Sequence, residues 1–457
     1  MSAEISRRQF LKGSIAGAGM LGLAGLARAL PQFERRPNFV IIFVDDLGYQ
    51  DVGCFGSPSI STPNVDRMAK EGVKLTSFYV QPVCTPSRAA LLTGCYPMRV
   101  GLPNVLGAKA EIGINSREIT LAELLKERGY ATACIGKWHL GHHTQFLPTR
   151  HGFDFYFGLP YSNDMDRNGA PPIPLIRSEK IIEQPADLNT LTQRYTAEAI
   201  KFIEANRDRP FFLYLPHTMV HVPLAVSDAF RGKSKRGLYG DAVEEIDWST
   251  GRIFDTLKRL GLDDNTLVLF TSDNGPWLKQ GADGGCALPL RDGKGTTYEG
   301  GVRVPCVVRW PGKVPAGTVC DEMTTEMDIL PTFARLAGTK EPTDRIIDGK
   351  DIWPLMAGAK GAVSPHETLF FYRGNRLEAV RSGKWKLILP HDGTPLALYD
   401  LHADIGETTD LSAAYPTIVK RMCEQAQACR EDIGDAVTGV KGKNVRPAAT
   451  LKTASRA

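Results

Sequence analysis

The chain has 457 residues, of which 42% are hydrophobic and 23% charged, and its formal net charge is +4. This composition is ordinary for a soluble globular protein with a large core. Most of the net charge lies in the first 29 residues, so the rest of the chain is close to neutral. A near-neutral body gives no global electrostatic attraction to nucleic acid or to a membrane surface, and we expect neither as a partner.

The N-terminus has the pattern of an export signal. Arg7 and Arg8 precede a weakly apolar run over residues 13–26, and Ala27 and Ala29 place small residues at a cleavage position. Paired arginines before such a run predict a twin-arginine (Tat) signal peptide over residues 1–29, cleaved after Ala29. We therefore expect a periplasmic or secreted protein. An uncleaved membrane anchor is the alternative, but the run is short for a spanning helix, so we expect no stable membrane insertion.

Apolar runs and amphipathic segments alternate through the next 240 residues or so. The predicted strands are residues 38–44, 131–135, 211–215 and 266–270, and the predicted helices are residues 62–70, 84–93, 119–128, 193–206 and 242–260. Such alternation is typical of an α/β fold with a large, mainly parallel sheet flanked by helices. Ligands of open α/β sheets bind at the carboxyl ends of the strands. Polar residues follow these strands directly, so we expect them to meet in one crevice.

The end of the chain has a different pattern. Four short strand-like runs, over residues 368–372, 379–381, 385–389 and 396–399, precede a helical segment at 416–428. They predict a smaller C-terminal subdomain with an antiparallel sheet and a helix. We place the signal peptide at 1–29, the catalytic α/β domain at 30–340 and the C-terminal subdomain at 341–432. Residues 433–457 are polar and basic without apolar periodicity, which predicts a disordered tail.

The nine cysteines are scattered, odd in number, and lack the spacing of a zinc site. Tat substrates fold before export in a reducing compartment, which disfavours a fold that depends on disulfides. The sequence assigns no disulfide pairing.

Cys84 lies in the most informative stretch of the chain. Pro86 suits the first turn of a helix, which places Cys84 at the helix N-terminus, where backbone amides favour an anion. Arg88 follows one turn later on the same face. This pattern allows an activated thiolate beside a guanidinium. A structural buried cysteine next to an ordinary arginine is the alternative.

Two polar pairs terminate predicted strands. Asp45 and Asp46 follow one strand, and Asp273 and Asn274 follow another. Hard oxygen donors without His or Cys neighbours suit calcium or magnesium better than zinc. An isolated acidic pair is more often a solvated loop or a helix cap, but two pairs at two strand ends favour a metal site.

Basic residues and histidines follow the other strands. Lys137 and His139 are two residues apart, so they share one face of an extended segment. His217 and His221 come just after residues 211–215, and Lys294 lies in a glycine-rich stretch. Each of these alone is compatible with an ordinary loop residue.

Several of these stretches together resemble the sulfatase family, in particular its arylsulfatase A-like members in the alkaline phosphatase-like superfamily. The matching motifs are CTPSRAALLTG at 84–94, GKWHLG at 136–141, HVPL at 221–224 and GKGTTYEGGVR at 293–303. The resemblance extends from residue 38 to about residue 411. It implies a sulfatase, in which a formylglycine-generating enzyme oxidises Cys84 to formylglycine before export.

The resemblance also implies roles for individual residues. Asp45, Asp46, Asp273, Asn274 and the modified Cys84 are the implied ligands of one divalent cation, expected to be calcium. Arg88, Lys137 and Lys294 are implied to bind sulfate, His139 to act as the base that expels it, and His221 to lie on the leaving-group side. Ser162 matches a substrate-contacting serine, and His217 is a further substrate-binding candidate. The HVPL motif begins at His221 and not at His217, so the resemblance assigns the leaving-group role to His221.

The implied reaction is a double displacement. One hydroxyl of the hydrated aldehyde attacks sulfur with help from Asp273, the alcohol leaves with a proton from His221 or Lys294, and His139 then assists elimination of sulfate. The expected substrate is an aryl or carbohydrate sulfate. The loops at about 102–118, 161–190 and 276–292 are expected to select the substrate, but their sequences do not indicate which one.

Two alternatives stay open on the sequence alone. One is a phosphonate monoester or phosphodiester hydrolase on the same fold, since these esters present similar tetrahedral centres. The other is a non-catalytic binder of sulfated glycans, which requires that Cys84 is not modified.

Overall fold

The computed structural model describes residues 35–167 and 169–454, so the predicted signal peptide lies outside the described residues. The strands are β1 (Asn38–Val44), β2 (Val73–Leu75), β3 (Phe78–Tyr79), β4 (Ile112–Gly113), β5 (Ala131–Ile135), β6 (Phe155–Gly158), β7 (Leu175–Arg177), β8 (Lys180–Glu183), β9 (Phe211–Pro216), β10 (Thr266–Ser272), β11 (Arg303–Val304), β12 (Cys306–Arg309), β13 (Thr318–Cys320), β14 (Thr324–Thr325), β15 (Thr368–Arg373), β16 (Arg376–Ser382), β17 (Trp385–Ile388), β18 (Ala397–Asp400), β19 (Gly434–Asp435), β20 (Val440–Lys441) and β21 (Ala449–Thr450). The helices are α1 (Pro63–Lys70), α2 (Cys84–Thr93), α3 (Leu121–Glu127), α4 (Leu191–Ala205), α5 (Leu238–Arg259), α6 (Glu299–Val302), α7 (Ile329–Leu336), α8 (Trp353–Met356), α9 (Pro416–Ile433) and α10 (Leu451–Ala454).

A ten-stranded sheet in the order β13-β2-β12-β10-β1-β9-β5-β6-β7-β8 forms the centre of the fold. The inner strands β10, β1, β9, β5 and β6 pair in parallel. Antiparallel pairs extend the sheet at both edges, through β12 and β2 on one side and β7 and β8 on the other. The predicted α/β class with a mainly parallel sheet is confirmed.

Helices cover both faces of this sheet, which explains why β1 is apolar along its whole length. Phe39, Ile41 and Phe43 belong to a core shared with α2, α3 and α7. Val40 and Ile42 face the other way, into a core shared with α1, α4 and α5. Because both of its faces are buried, β1 lies at the centre of the sheet. Its C-terminal end therefore lies at the crevice.

The C-terminal subdomain is built on the antiparallel sheet β15-β16-β17-β18. Leu377, Val380 and Leu387 of this sheet share a core with Met422 and Ala426 of α9. The predicted antiparallel sheet and closing helix are therefore confirmed. A second apolar cluster, which includes Tyr79 and Val302, joins the sheet to the catalytic part of the chain.

The prediction of a disordered tail over 433–457 is wrong for its described part. The β19–β20 hairpin begins at Gly434, and β21 pairs with β4. Arg446 donates its backbone N–H to the Arg99 carbonyl over 2.7 Å, and its guanidinium pairs with Glu118 at 2.8 Å. Ion pairs and backbone pairing hold this segment, and hydrophobic periodicity does not report either of them.

Boundaries elsewhere differ by a few residues. Helix α3 begins at Leu121 because the Thr120 side chain and Glu123 form a capping box. All nine cysteines carry free thiols. Among residues 35–167 and 169–454, no helix has the length and hydrophobicity needed to cross a bilayer.

Candidate active site

Four neighbouring strands of the sheet, β10, β1, β9 and β5, end at the same edge and place polar residues there. Asp45 and Asp46 follow β1, and Asp273 and Asn274 follow β10, and all four side chains are buried. The Asp46 backbone N–H donates to Asp273 Oδ1 over 3.2 Å, which links the two pairs directly. The predicted convergence of the two acidic strand ends is present in the structure.

Helix α2 begins at Cys84 and points its N-terminus into this crevice. One turn later, the Arg88 guanidinium donates to Asp273 Oδ2 from Nε at 3.2 Å and from Nη2 at 2.7 Å. Its Nη1 donates to the Lys137 carbonyl over 2.7 Å. Arg88 is fully buried, so these contacts fix the position of its guanidinium group.

Asp45, Cys84 and Asp273 each offer a ligand atom, and these atoms lie within 4.8 Å of one another. Within residues 35–167 and 169–454, no hydrogen-bond donor reaches the buried Asp45 Oδ1 or Asn274 Oδ1. The Asn274 amide nitrogen donates to Asp46 Oδ1 over 2.7 Å, which leaves its oxygen available. Unpaired buried oxygens on hard donors fit a divalent cation such as calcium, since a cation satisfies acceptors that no protein donor reaches.

Three cations surround the same carboxylates. The Lys137 ammonium contacts Asp45 Oδ2, and Lys294 Nζ lies 2.7 Å from Asp46 Oδ1. Together with Arg88 they balance the three aspartates. Positive groups and acidic ligand donors therefore share one pocket, which suits binding of a metal ion and an oxyanion side by side.

The surroundings of the acidic groups in the pocket shift their pKa values in different directions. Burial raises the pKa of the Cys84 thiol, and the nearby Lys137 and Lys294 do not outweigh it. The thiol is therefore neutral, and the activated thiolate that the helix N-terminus allows is not favoured. Burial also raises the pKa of Asp273, to about 7, with the charge of Asp45 adding to the shift. Burial opposes ionisation of Asp45 too, but Lys137, His221 and Arg88 together hold its pKa below the usual range.

Two site residues adopt left-handed backbone conformations, at φ 63° for Asp46 and 64° for His139. Non-glycine residues rarely adopt this conformation, and it concentrates at functional sites. A Cβ on Gly136 would lie 1.8 Å from the Pro216 carbonyl oxygen, so only glycine permits β5 to approach β9 this closely. This approach delivers Lys137 and His139 to the pocket.

His139 is buried, and one ring nitrogen lies 2.9 Å from the Leu106 carbonyl oxygen. Its other nitrogen, Nδ1, has no hydrogen-bond partner. Burial lowers the pKa of His139, and the charges of Lys137 and Arg88 lower it further. The ring is therefore neutral and able to accept a proton at Nδ1.

The two candidate histidines after β9 have different surroundings. His221 Nε2 lies 3.8 Å from Asp46 Oδ2, beside the carboxylate that Lys294 contacts. Neither ring nitrogen of His217 has a hydrogen-bond partner, and burial lowers its pKa to about 3. The structure brings His221 into the charged pocket and gives His217 no polar contact there.

Ser162 is buried, and its hydroxyl has no hydrogen-bond partner. The next residue, Asn163, donates its side-chain amide to the Pro223 carbonyl over 2.9 Å and to the His221 carbonyl over 3.3 Å. The loop that carries Ser162 therefore packs against the segment that carries His221.

Sequence reasoning missed two residues. Trp277 lies 5.5 Å from the His221 ring and 4.6 Å from Lys294 Nζ, measured from ring centroids. Its position three residues after Asn274 was the only available signal. Leu106 acts through its backbone carbonyl, for which the sequence carries no signal.

The fold and the pocket are those of an α/β enzyme that acts on a tetrahedral oxyanion, because acidic metal ligands and fixed cations surround one residue at a helix N-terminus. Residues 37–339 match the family model described as Sulfatase. Residues 292–432 match the model described as N-sulphoglucosamine sulphohydrolase, C-terminal. Residues 4–24 match the twin-arginine translocation signal model, which confirms the predicted export signal.

Relatives extend these matches over most of the chain. Arylsulfatase A from Homo sapiens is 40% identical over an alignment of 469 positions, and the alignment covers 91% of this chain and 90% of the relative. N-acetylgalactosamine-6-sulfatase from Canis lupus familiaris is 44% identical over 391 residues, covering 80% and 74%. This chain belongs to the sulfatase family.

Solved structures agree with this assignment. The PsFucS1 sulfatase from Pseudoalteromonas sp. superimposes with a TM-score of 0.80 at 31% identity, covering 86% of this chain and 90% of that one. The phosphonate monoester hydrolase of Agrobacterium radiobacter superimposes with a TM-score of 0.64 at 21% identity, covering 86% and 95%. The second likeness concerns the fold alone, so the fold does not by itself choose between sulfate and phosphonate esters.

Proposed function

We propose that this sulfatase hydrolyses a sulfate monoester in the pocket at the end of β1 and β10, with residue 84 as the nucleophile. One observation carries the proposal: ligand atoms of Asp45, Cys84 and Asp273 lie within 4.8 Å of one another. Arg88, Lys137 and Lys294 contact the same group of aspartates. A nucleophile, metal donors and anion-binding cations are thus concentrated in one volume.

Two additions complete the pocket in this proposal. A formylglycine-generating enzyme oxidises the Cys84 thiol to an aldehyde before export, and hydration of that aldehyde supplies a hydroxyl nucleophile. Asp45, Asp46, Asp273, Asn274 and residue 84 would hold a divalent cation there, for which we propose calcium. When bound, the ion polarises the sulfate group and lowers the pKa of a hydroxyl held against it. The unpaired Asp45 Oδ1 and Asn274 Oδ1 support this ligand set.

The protein side chains divide the remaining work. Lys137 and Lys294 neutralise the sulfate oxygens, and the buried Arg88 holds Asp273 in place through two hydrogen bonds. Asp273 takes a proton from residue 84 during attack on sulfur. On the opposite side, His221 or Lys294 donates a proton to the departing alcohol.

His139 serves the second half of the reaction. Its unpaired Nδ1 takes a proton from residue 84 as the sulfate is expelled, while the Leu106 carbonyl accepts the proton of Nε2 and fixes the tautomer. Ser162 is assigned to the alcohol portion of the substrate because its loop is bonded to the His221 segment. His217 lacks such a contact, so we assign the leaving-group role to His221.

The substrate class in this proposal is an aryl or carbohydrate sulfate. Relatives of both kinds support it, since the chain is similar to arylsulfatase A and to N-acetylgalactosamine-6-sulfatase. A further similar structure, Ps i-CgsB, is a complex with k-i-k-neocarrahexaose and has a TM-score of 0.77 at 33% identity, covering 86% of this chain and 93% of that one. Tat export with cleavage after Ala29 places the reaction in the periplasm or outside the cell. We assign catalysis to residues 30–340 and retain 341–432 as the C-terminal subdomain.

A side-by-side assay tests the proposal. The full chain is produced with a formylglycine-generating enzyme and offered aryl sulfates, a panel of sulfated saccharides, a phosphonate monoester and a phosphodiester. We expect the highest kcat/KM for a sulfate ester. Faster turnover of the phosphonate or phosphodiester than of every sulfate tested would overturn the assignment in favour of that class.

A further inference from the structure

Trp277 lies at the mouth of the pocket, next to the two groups assigned to the leaving alcohol. Its ring centroid is 4.6 Å from Lys294 Nζ and 5.5 Å from the centroid of the His221 ring. His221 is buried, whereas Trp277 is partly exposed. Part of the indole therefore stays open to solvent beside the charged pocket, while Lys294 Nζ lies over its ring.

The backbone around Trp277 is fixed relative to Lys294. The Lys294 backbone N–H donates to the Pro276 carbonyl over 2.9 Å, so the residue before Trp277 is tied to the residue that contacts Asp46. A Cβ on Gly293 would lie 2.4 Å from the same carbonyl oxygen and 2.9 Å from Leu278 Cγ. Trp277 and Lys294 thus sit on two segments in close contact.

The far end of the same loop is also held. The Cys286 backbone N–H donates to the buried Asp51 carboxylate over 3.0 Å, and Arg236 donates to the Gly284 carbonyl over 2.7 Å. Tyr239 also donates to Asp51, over 2.6 Å. Anchors at both ends make the loop a pre-formed wall, which lowers the entropic cost of binding against it.

Two further large apolar side chains of the loop that carries Trp277 are open to solvent. Leu278 is 42% exposed and Leu288 is 60% exposed. A flat ring with a weakly polar face is the ligand shape that an indole accepts best.

We propose that Trp277 is the stacking wall of the leaving-group subsite, and that it selects sulfate esters carried on a six-membered ring with a planar or C–H-lined face. This inference rests on the proposed sulfatase reaction. The ring face packs on the indole while the ester oxygen points toward His221 and Lys294. Aryl rings and the C–H faces of sugar rings share this chemistry, whereas acyclic alkyl sulfates lack it.

The test uses the formylglycine-bearing full chain with Trp277→Ala and Trp277→Phe. The substrates are an aryl sulfate, a panel of sulfated monosaccharides and a short acyclic alkyl sulfate. Trp277→Ala is expected to raise KM for ring sulfates about 10-fold with little change in kcat, because stacking contributes equally to substrate and transition state. Trp277→Phe is expected to restore most of this loss, and kcat/KM for the acyclic sulfate to change less than about threefold.

Trp385→Ala is the matched control. Lys384 Nζ lies 4.7 Å from the Trp385 ring, so this variant also removes a partly exposed indole beside a lysine, but in the C-terminal sheet. We expect its KM values to equal those of the parent chain. Inhibition by inorganic sulfate provides a second control, because sulfate occupies the anion pocket without a leaving group and its Ki should not move.

The possible results distinguish failure of the stacking wall from failure of the proposed function. A rise in KM confined to aryl sulfates, or to sugar sulfates, supports the wall and identifies the ring. Unchanged KM for every ring sulfate, or an equal rise in the Ki of sulfate, would refute it. If the parent chain turns over no sulfate ester, the proposed function itself has failed, which is a different result.

Discussion

Two buried ionic clusters in this molecule have similar composition but differ in how well they are satisfied. The strand-end cluster comprises Asp45, Asp46, Arg88, Lys137, Asp273, Asn274 and Lys294. The subdomain cluster, between α6 and the C-terminal sheet, comprises Tyr79, Glu299, Arg303, Lys386 and Glu407. Lys386 lies 2.8 Å from Glu299 and 3.0 Å from Glu407, and all three side chains are fully buried.

Every carboxylate oxygen of the subdomain cluster has a donor or cation nearby, although Glu407 Oε1 makes no hydrogen bond and is satisfied only by the Lys386 ammonium at 3.0 Å. Tyr79 donates to Glu299 Oε2 over 2.6 Å, and the Glu299 backbone N–H donates to Glu407 Oε2 over 2.7 Å. In the strand-end cluster, Asp45 Oδ1 and Asn274 Oδ1 have no partner. A closed ionic cluster stabilises the fold, whereas one with unpaired acceptors identifies where a ligand binds. Three changes at or beside these clusters are expected to separate the two roles, and a fourth concerns His217, which lies outside both.

Removing the nucleophile gives the largest effect. Cys84→Ala should lower kcat for the best sulfate ester by at least about 10⁴-fold, because no other side chain replaces the hydroxyl of residue 84. Circular dichroism and thermal unfolding should match the parent chain, since the substitution is small and breaks no ion pair. Retention of full activity would remove residue 84 from the mechanism.

Removal of the metal should be the next largest effect. Dialysis against EDTA is expected to lower kcat/KM by more than about 100-fold, because the aspartates then lose the cation that orders the nucleophile and polarises the ester. It should also lower the unfolding temperature, since a ligand bound only by the folded state stabilises it. Calcium should restore both.

Asp45→Asn serves as the control for metal removal. This variant lacks one ligand charge, so its unfolding temperature should respond little to EDTA or calcium. A parent chain that keeps its activity and unfolding temperature through dialysis would contradict the metal site.

Two buried lysines allow the clusters to be compared directly. Lys137→Met should lower kcat/KM by about 10³-fold, because it removes one cation from the oxyanion site. Lys386→Met should instead lower the free energy of unfolding by about 3–5 kcal/mol, because Glu299 and Glu407 lose their buried partner. The folded fraction of Lys386→Met should keep kcat/KM within about tenfold of the parent value.

Urea unfolding and steady-state kinetics on both lysine variants check this pair. The comparison fails if Lys386→Met loses activity without losing stability, since the subdomain cluster would then act in catalysis.

His217 gives the smallest effect on activity, because its expected contribution is confined to the pH dependence of stability. Burial lowers its pKa from 6.5 to about 3, so the unfolded chain takes up the proton first as pH falls. Its contribution therefore lowers the free energy of unfolding by about 1.4 kcal/mol per pH unit between those two values. His217→Gln should remove this part of the slope, measured by urea unfolding from pH 7 to 4. An unchanged slope would show that the ring is protonated in the folded chain.

The sequence predicts much of the strand-end cluster because most of its residues follow contiguous apolar strands, whereas Lys294 lies in a glycine-rich stretch. Asp45 and Asp273 come directly after β1 and at the end of β10, and parallel pairing brings these ends together. Cys84 and Arg88 were placed by the helical spacing of α2. The fold class follows from the same alternation of strands and helices.

Other features depend on contacts that pattern does not encode. Arg446 and Glu118 pair across most of the chain, which orders a tail without apolar periodicity. The HVPL motif favours His221 over His217, but the approach of the His221 ring to Asp46 is visible only in the structure. The position of Trp277 beside the site is visible only in the structure, because a loop brings Lys294 back to within 4.6 Å of its ring.

Mass spectrometry of the peptide that contains residue 84 shows whether the proposed nucleophile is present. The chain is purified after export from a host with a formylglycine-generating enzyme and digested with trypsin, which releases residues 75–88 as one peptide. Conversion of the thiol to the aldehyde predicts a mass about 18 Da below that of the cysteine form, in proportion to sulfatase activity across preparations. A fully active preparation in which this peptide carries only the unmodified thiol would contradict the account.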